Sequence, residues 1–532
     1  MVEHEIEMEE KGLLAKKWLW LSLGFGLFAL IVLMPTPQGL IEVVDKYGFA
    51  EKMIAKGVAH DAASAAWKAK VVIAILPLAV VFFATEALPI GVVGILMPLL
   101  AYWFHILPKK EIGKTFMGDA PLFLLGVLAL GYAITESGLH KRIAVWILGW
   151  TRGFKQPIIV LCVVMSCLGS FISAHALAAF LAPVMAAIYY ESVRAASKGE
   201  KVEHDPILAK MLLLTLCFAM NVGGVGSPAA GGRNALMLGF FEDYNVPMGF
   251  GRWMMYGFPL VPIMGIIVAA YSFTVFKGIK IKDLTPGIKT LKEEIKKMGP
   301  MSRDEKIMGI LLLVILAGWM LGEEHLGLGG PALLAILIPV MFKVVDWDKM
   351  LKGISWDAWF MYCGAMTLGA LLKETGAALW IAKTTLGMMA KVGMGSGFGL
   401  WVGVSLLSGL LTNFMSDAAV TALLGPITLP MGIFSGNPAE PWGVGLATAF
   451  ATSFAHFLIV GTPNNAIVYG LGIYPDSGKR ILHPFDFVKY GFALWAICMV
   501  VLWLVGFGVI FKVVGFPENL LPQAQAALSH GG

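Results

Sequence analysis

The segments FISAHALAAFLAPV (171–184) and FMSDAAVTALLGPI (414–427) align without a gap, and Phe, Ser, Ala, Ala, Leu and Pro coincide in both. Both segments lie in strongly apolar parts of the chain, yet the first carries His175 and the second carries Asp417. Ionisable side chains are expensive inside a membrane, and they mark functional sites there. The pair of segments therefore predicts a duplicated unit that brings polar groups into an apolar protein.

The repeat continues on both sides of these segments. Downstream, GGRNALMLG (231–239) aligns with TPNNAIVYG (462–470), and upstream FLLGVLALGYAITESGL (123–139) resembles WFMYCGAMTLGALLKETGA (359–377). Glycine, proline and asparagine interrupt both units at matching points. Irregular backbone at membrane depth persists only where protein or a water-filled cavity covers it, and matched interruptions in two halves indicate a transporter's central site. Helix-packing glycines and proline kinks are the alternative explanation.

The composition is that of a membrane protein. Of 532 residues, 58% are hydrophobic and 14% are charged, and the mean hydropathy is +0.77. Apolar runs of about 18 residues, enough to cross a bilayer, recur along the chain. We therefore predict an all-α polytopic membrane protein, with roughly eleven transmembrane helices plus two re-entrant hairpins. The five cysteines show no metal-binding spacing and are expected to be small core residues.

Charge suggests how the chain is oriented and divided. Segment 137–155 is basic, whereas its counterpart 374–391 carries only two lysines, which agrees with an inverted repeat. The lysine-rich segment 277–306 is expected to be a cytoplasmic linker that forms a solvated helix without a packing partner. The predicted divisions are N-terminal scaffold helices 1–120, a first repeat 121–276, the linker 277–306, scaffold helices 307–356, a second repeat 357–514 and a loose tail 515–532.

Several motifs, in this order, resemble those of the divalent anion:sodium symporter family, also called the sodium:sulfate symporters. Each motif alone is weak, and their shared order and spacing carry the resemblance. They are TEALPIGV (85–92), FLLGVLALGYAITESGLHKRIA (123–144), the two aligned segments of the repeat, NVGGVGSPAAGGRN (221–234), TNFMSDAAVTALLGPI (412–427) and GTPNNAIVYG (461–470).

The resemblance implies a homodimer in the lipid bilayer, in which a mobile domain of each protomer moves against a scaffold like an elevator. It implies re-entrant hairpins at about 157–190 and 397–436, and helix breaks at about 223–234 and 460–465. The implied function is secondary active transport of a small dianion (a di- or tricarboxylate, sulfate or sulfonate), coupled to Na⁺ or H⁺, in the inner membrane. No cofactor is expected apart from Na⁺ as coupling ion.

Hairpin tips and helix breaks present helix N-termini for anions and oxygen atoms for Na⁺. A hydroxyl there has an alternative role, which is to bond back to a helix carbonyl. The predicted substrate-binding residues are Ser173, His175, Arg233, Asn234, Ser416, Asp417, Thr462 and Asn465. The predicted Na⁺ ligands are Ser173, Gly224, Gly226, Thr412, Ser416, Asp417 and Gly461.

The chain departs from the family at these same positions. The family has Ser-Asn-Thr at both hairpin tips, and this chain has Ser-Ala-His at 173–175 and Ser-Asp-Ala at 416–418. Arg233 is expected either to clamp an acidic substrate or to pair with Asp417. Asp417 is expected either to pair with Arg233, to hold a cation or to carry a proton. His175 is expected to donate to substrate, to relay a proton, or only to bond a backbone carbonyl.

Other function classes remain as alternatives. A cation/proton antiporter of related fold would use Asp417 as its ion site, and an uncoupled anion exchanger would need no coupling ion. An intramembrane enzyme is not supported, because no metalloprotease or nucleophile motif occurs in the chain. A nucleic-acid partner is not expected, because the basic residues cluster in one linker.

Overall fold

The computed structural model describes residues 2–172, 174–197, 204–435, 437, 439–474 and 476–517. Within these ranges the structure does not describe the side-chain surroundings of residues 2–16, 144, 145, 294, 295, 323 and 324. Throughout the described ranges the chain is helical and forms no strand, and Ile473 and Arg480 make an isolated bridge. An all-helical architecture satisfies the backbone hydrogen bonds of an apolar chain within each segment.

The helices that precede the linker are α1 Val2–Leu33, α2 Gln38–Lys46, α3 Phe49–Ala55, α4 Ala62–Thr85, α5 Ile90–Trp103, α6 Lys109–Lys114, α7 Asp119–Ser137, α8 Leu139–Gly149, α9 Lys155–Gly169, α10 Ala174–Ala196, α11 Pro206–Gly223, α12 Gly232–Asp243, α13 Phe250–Gly257 and α14 Leu260–Val275. The linker contains α15 Thr285–Met298.

The helices that follow are α16 Arg303–Leu321, α17 Glu323–Leu326, α18 Gly329–Met341, α19 Trp347–Gly353, α20 Trp356–Glu374, α21 Ala377–Ala390, α22 Gly397–Leu411, α23 Asp417–Phe434, α24 Glu440–Ala451, α25 Pro463–Leu471, α26 Pro484–Val501 and α27 Phe511–Val514. Short 3₁₀ turns, Pro228–Ala230 and Ile459–Gly461, precede α12 and α25, and a π-helical stretch, Leu502–Ile510, joins α26 to α27.

Fewer helices than predicted are long enough to cross a membrane alone. Among the described residues, seven helical stretches have the necessary length and hydropathy, or eight if 17–33 and 38–46, which meet at a bend of 72°, form one span. Four shorter apolar helices, α5, α9, α18 and α22, add to these. The difference from about eleven spans arises because several predicted crossings, among them α5, α18 and α24, are helices of only 12 to 14 residues.

Two pairs of packed helices connect the two halves of the chain. Helix α5 packs on α20, and α7 packs on α18. In the order of the repeat α5 matches α18, and α7 matches α20, so the contacts are reciprocal, as a two-fold relation between two like units requires. A Cβ on Gly126 of α7 would lie 2.3 Å from the carbonyl oxygen of Ala332, so these helices touch backbone to backbone.

The innermost elements belong to the predicted hairpins and broken helices. The apolar windows of α11 and α23 are each 83% buried within the protein, whereas that of α14 with α13 is 44% buried. α11 and α23 therefore face protein rather than lipid, and α12 and α24 pack beside α23. The polar residues of the repeat are carried at the ends of these central helices.

The expectation of an unpartnered, solvated linker is wrong. Helix α15 packs on α8 and α10, and its Ile288 and Leu291 are buried. A Cβ on Gly287 would lie 2.3 Å from the carbonyl oxygen of Ile188, which shows how closely α15 approaches α10. The lysines of α15 lie on its outer face. Its apolar residues recur at the spacing of one helix face, and that face packs against the first repeat.

Candidate functional site

Both predicted hairpins consist of two helices joined at a short tip. The first is α9 and α10, and the second is α22 and α23. Ala174 begins α10 and Asp417 begins α23, and these two residues occupy the same place in the aligned segments. The two helix N-termini are therefore equivalent positions of the repeat, with an alanine in one and a carboxylate in the other.

An asparagine stabilises each helix break in the same way. The Asn234 Nδ2 group donates to the carbonyl oxygens of Gly224 and Ser227, both at 2.7 Å. In the second half, Asn465 Nδ2 donates to the matched carbonyls of residues 455 and 458, at 2.8 and 2.7 Å. The asparagines thus replace hydrogen bonds that the interrupted helices do not make.

The amide oxygens of these two asparagines have different surroundings. Asn465 Oδ1 accepts hydrogen bonds from Asn221 Nδ2 at 3.1 Å and from Cys217 Sγ at 2.8 Å. Asn234 Oδ1 is buried and has no hydrogen-bond partner among the described residues. A buried acceptor without a donor is costly, and an unplaced ion or water is one of its ordinary explanations. The Asn234 oxygen of the first half is therefore available to a ligand, whereas the Asn465 oxygen of the second half already accepts two hydrogen bonds.

Arg233 and Asp417 form a buried ion pair. One guanidinium nitrogen of Arg233 hydrogen-bonds to Asp417, and its Nε donates to Ser453 Oγ at 2.9 Å. A Cβ on Gly224 would lie 1.6 Å from Arg233 Nη2, so only glycine leaves room for the guanidinium there. The arginine thereby joins the first helix break to the tip of the second hairpin and to the second break.

His175 lies in a different network. Its Nδ1 is 2.7 Å from Asn464 Oδ1, and since an amide oxygen only accepts, Nδ1 carries the proton in this arrangement. Asn464 Nδ2 donates to Asn221 Oδ1 at 3.0 Å, and Asn221 Nδ2 donates to the carbonyl oxygen of Ala455 at 3.1 Å. The histidine therefore connects the first hairpin to the second helix break through amide side chains.

A cavity of about 270 Å³ lies beside the first hairpin tip and the first helix break. Residues at the N-terminal ends of three helices line it: Ala174–Ala176 of α10, Gly231 and Gly232 at α12, and Ser355 before α20. His175 is the only lining residue with an ionisable nitrogen, and no acidic side chain of the described residues lines the cavity. Helix N-termini carry partial positive charge, so the cavity favours an anion.

The other predicted residues make contacts within the protein, and two of them lie together, because a Cβ on Gly461 would be 2.6 Å from the carbonyl oxygen of Thr412. Thr412 Oγ1 donates to the carbonyl oxygen of Thr452 at 2.8 Å, and Ser416 Oγ caps α23 by accepting from Ala419 N at 3.5 Å. Thr462 is buried directly before α25. The predicted glycine ligands lie where the chain packs tightly: a Cβ on Gly226 or Gly461 would come within 2.6 Å of a neighbouring oxygen. Ser173 lies outside the described residues.

Sequence reasoning missed four polar residues of these networks, and it placed His175 with Arg233 and Asp417 in one site. Asn464 stood in the predicted break but was given no role, and Asn221 stands at the start of a quoted motif. Tyr132, a cavity residue of α7, stands in a quoted motif but was given no role, and Ser453 lies outside every quoted motif. The asparagines could have been found from the sequence, because Asn221, Asn464 and Asn465 stand in two short motifs of an otherwise apolar chain.

Comparisons with known proteins find relatives over most of the chain. Residues 61–514 match the family model described as the sodium:sulfate symporter transmembrane region. An uncharacterized transporter of Haemophilus influenzae is 26% identical over 460 residues, which cover 83% of this chain and 92% of that protein. A sodium-dependent dicarboxylate transporter of Staphylococcus saprophyticus is 25% identical over 414 residues, covering 74% and 78% of the two chains.

Two solved structures share the fold. The YdaH transporter of Alcanivorax borkumensis superposes with a TM-score of 0.53 at 15% sequence identity, covering 84% of this chain and 98% of that one. MtrF of Neisseria gonorrhoeae, described among antimetabolite efflux pumps, superposes with a TM-score of 0.52 at 15% identity, covering 77% and 84%. At this identity the likeness concerns the fold alone.

Proposed function

The chain belongs to the sodium:sulfate symporter family, and on that premise we propose that it carries a small carboxylate, sulfate or sulfonate anion through the cavity beside the first hairpin tip. It is a multi-pass transporter of the inner membrane and not an enzyme. Sodium as the coupling ion fits the family, and a related protein is named as a sodium-dependent dicarboxylate transporter.

The cavity is the observation that supports anion transport most strongly. Three helix N-termini and His175 surround it, without a carboxylate among its described lining residues. A site of this kind holds an anion with partial charges and needs no buried lysine or arginine. An antiporter that exchanges cations at Asp417 is disfavoured, because the Arg233 guanidinium already pairs with that carboxylate.

We place the coupling sodium ion in the first half, at Asn234 Oδ1. Sodium is a hard cation that prefers oxygen, and this buried amide oxygen has no donor within the part of the chain that the structure describes. At Asp417 a sodium ion would compete with the guanidinium of Arg233. Of the predicted ligands, Gly224 lies beside Asn234. The proton-coupled and uncoupled exchange alternatives predict no such sodium requirement.

An elevator motion within a homodimer completes the proposal. The segments 1–120 and 307–356 would form the fixed scaffold, joined by α7 and α20 because these helices pack on α18 and α5. The hairpins and broken helices of 121–276 and 357–514 would move as one body, tied together by the Arg233–Asp417 pair. The cavity lies between these two groups of elements, with α7 on one side and the first hairpin tip on the other.

The test combines a ligand screen with uptake into proteoliposomes. Mono-, di- and tricarboxylates, sulfate and sulfonates are compared by thermal shift and by uptake, with Na⁺ or K⁺ at equal ionic strength and at two pH values. We expect an anion-dependent shift and uptake that requires Na⁺. No shift and no uptake with any of these anions would refute the proposed function.

A matched pair of variants tests the sodium position. Sodium should raise the melting temperature of the wild type, because a ligand that binds the folded state stabilises it. Asn234→Ala should lose this sodium increment. Asn465→Ala should be less stable in both salts yet keep the increment, since the protein itself occupies its Oδ1. An unchanged sodium increment in Asn234→Ala would show that the ion binds elsewhere.

A further inference from the structure

The repeat contains two equivalent helix N-termini, and the protein itself fills one of them with a carboxylate. Asp417 is the first residue of α23, its Oδ1 accepts the backbone N–H of Ala418 at 2.6 Å, and its Oδ2 pairs with Arg233. This is how a helix N-terminus with a neighbouring guanidinium binds an acidic ligand. The chain thus carries its own acidic group at the α23 position.

Among the described residues, no carboxylate lines the cavity at the equivalent α10 position. Its first residue is Ala174, which together with His175 and Ala176 lines the anion cavity. The neighbouring N-terminus of α12 faces the same cavity at Gly232. Asp417 therefore shows which kind of group binds at one helix N-terminus of the repeat, and the cavity is the space at the equivalent N-terminus.

We infer that the substrate binds through one acidic group, at the α10 position, and that it is a small monocarboxylate or sulfonate with an aliphatic body. This inference rests on the proposed function, and it replaces the dianion expected from the sequence with a monoanion. Leu124, Val127 and Leu128 of α7 together with Phe171 give the cavity an apolar lining, beside the hydroxyl groups of Tyr132, Thr135 and Ser355. The apolar part of this lining favours a hydrocarbon body, and apart from His175 no described lining residue carries an ionisable nitrogen that could pair with a second acidic group.

A second acidic group of the substrate would reach the α23 position, where Asp417 already lies. A Cβ on Gly232 would lie 3.7 Å from the Cβ of Ala418, so the α23 position directly adjoins the cavity. An acid group that reaches past Gly232 would approach Asp417, a like charge, and would compete with it for Arg233. Burial of that group against the apolar lining would leave it unpaired, which is also unfavourable.

Butyrate and succinate test the inference directly, because they differ by one terminal carboxylate. For the purified full-length protein in Na⁺, we expect butyrate to bind at least about tenfold more tightly than succinate by calorimetry, with the same preference in uptake. Equal or tighter binding of succinate would overturn the inference while leaving the proposed function intact. Failure of every anion to bind would instead refute the proposed function itself.

Substitution at the matched positions gives the second test. Ala174→Asp would copy the α23 arrangement into the α10 position, so we expect butyrate binding to fall about tenfold or more while the protein stays folded. Ala174→Asn, of the same size but uncharged, should lose much less. Equal losses in the two variants would mean that bulk rather than charge is responsible, and would count against the inference.

Asp417→Ala should open the α23 position and free Arg233 for a second carboxylate. We expect succinate binding to strengthen about tenfold relative to butyrate, whereas Asp45→Ala on the exposed surface of α2 should leave the ratio unchanged. An unchanged ratio in folded Asp417→Ala would overturn the inference. If this variant fails to fold, the wild-type preference and the Ala174 variants still decide.

Discussion

At the scale of single residues, the Arg233–Asp417 pair shows why charges in this protein are few and matched. Removing two ions from water costs several kcal/mol each, and only close pairing with further hydrogen bonds offsets that cost. Both conditions hold here: Ser453 takes the Arg233 Nε–H, and Ala418 N donates to Asp417. The pair is therefore better explained as a fixed connection between helix ends than as a free clamp for substrate.

A second arginine attaches the linker. Arg142 Nε donates to Glu305 Oε1 at 2.8 Å, and its other nitrogens reach the carbonyl oxygens of Gly299 and Pro300 at 2.9 and 3.3 Å. Glu305 also accepts from the backbone N–H of Ser302 at 2.6 Å, which completes a capping box at the start of α16. Burial opposes ionisation of Glu305, but the bonds from Arg142 and Ser302 outweigh it and lower its pKa.

This lowered pKa predicts a stability that depends on pH. A carboxyl group whose pKa falls on folding stabilises the protein above its unfolded pKa of about 4.3, and that contribution disappears as the pH falls through the folded pKa. Glu305→Gln should therefore cost about 1.5–3 kcal/mol at neutral pH. The difference in melting temperature from the wild type should shrink as the pH is lowered below about 4.

The exposed carboxylate of Glu293, on the same linker, provides the control for this measurement. Glu293→Gln should leave the melting temperature nearly unchanged at every pH, because surface substitutions of this kind alter stability by less than about 0.5 kcal/mol. A Glu305→Gln deficit that stays constant down to acid pH would contradict the ion-pair explanation.

At the scale of elements, the sequence predicts the first helix break better than the second. Glycines surround the first break, and the chain leaves the helix there as expected, between α11 and α12. The second break was predicted at Val460 but begins directly after α24, at Thr452. Its first residues, TSFAHFLI, contain neither glycine nor proline, so no local signal marked the end of the helix.

Distant side chains explain why the second break could not be read locally. Asn413, in the tip of the second hairpin, accepts the backbone N–H of Phe457 at 3.0 Å, and Thr412 bonds to the carbonyl oxygen of Thr452. With Asn465 they satisfy backbone groups that a continuous helix would otherwise satisfy itself. Tertiary contacts thus override local helix preference. For the same reason the sequence offered the Arg233–Asp417 pair only as one of two roles for Arg233, because the two residues meet only when the two halves of the chain fold together.

The reciprocal helix pairs predict that certain glycines cannot be replaced. A Cβ on Gly364 of α20 would lie 2.1 Å from the carbonyl oxygen of Gly94 on α5, and Gly126 is equally crowded by α18. Backbone cannot move aside as a side chain can, so Gly126→Ala and Gly364→Ala should each cost about 1–3 kcal/mol of stability. The melting temperature and the monodispersity of the purified variants measure this loss.

Gly309 of α16 is the matched control, because among the described residues no atom beyond its own stretch of helix lies within 4 Å of the position its Cβ would take. Gly309→Ala should be neutral or stabilise the protein by up to about 1 kcal/mol, since alanine favours a helix over glycine. Melting temperatures of Gly126→Ala and Gly364→Ala equal to that of Gly309→Ala would show that the crossings are looser than described.

At the scale of the whole molecule, the elevator proposal divides the chain into a fixed body and a moving body, and cross-links can tell them apart. Ala120 lies in the proposed scaffold and Gly239 in the moving body, and a Cβ on Gly239 would lie 3.1 Å from that of Ala120. Gly409 and Ala451 both lie in the moving body, with a corresponding separation of 3.4 Å. Small shifts bring both pairs to the Cβ separation of a disulfide, about 3.8 Å.

In a background without the five native cysteines, oxidised Ala120→Cys/Gly239→Cys should stop anion uptake into proteoliposomes, and reduction should restore it. Oxidised Gly409→Cys/Ala451→Cys should transport at nearly the rate of its reduced form, because its two helices move together. Uptake that persists in fully cross-linked Ala120→Cys/Gly239→Cys would rule out movement between these bodies. Loss of uptake in both oxidised proteins would instead indicate that the second hairpin opens against α24, a gate rather than an elevator.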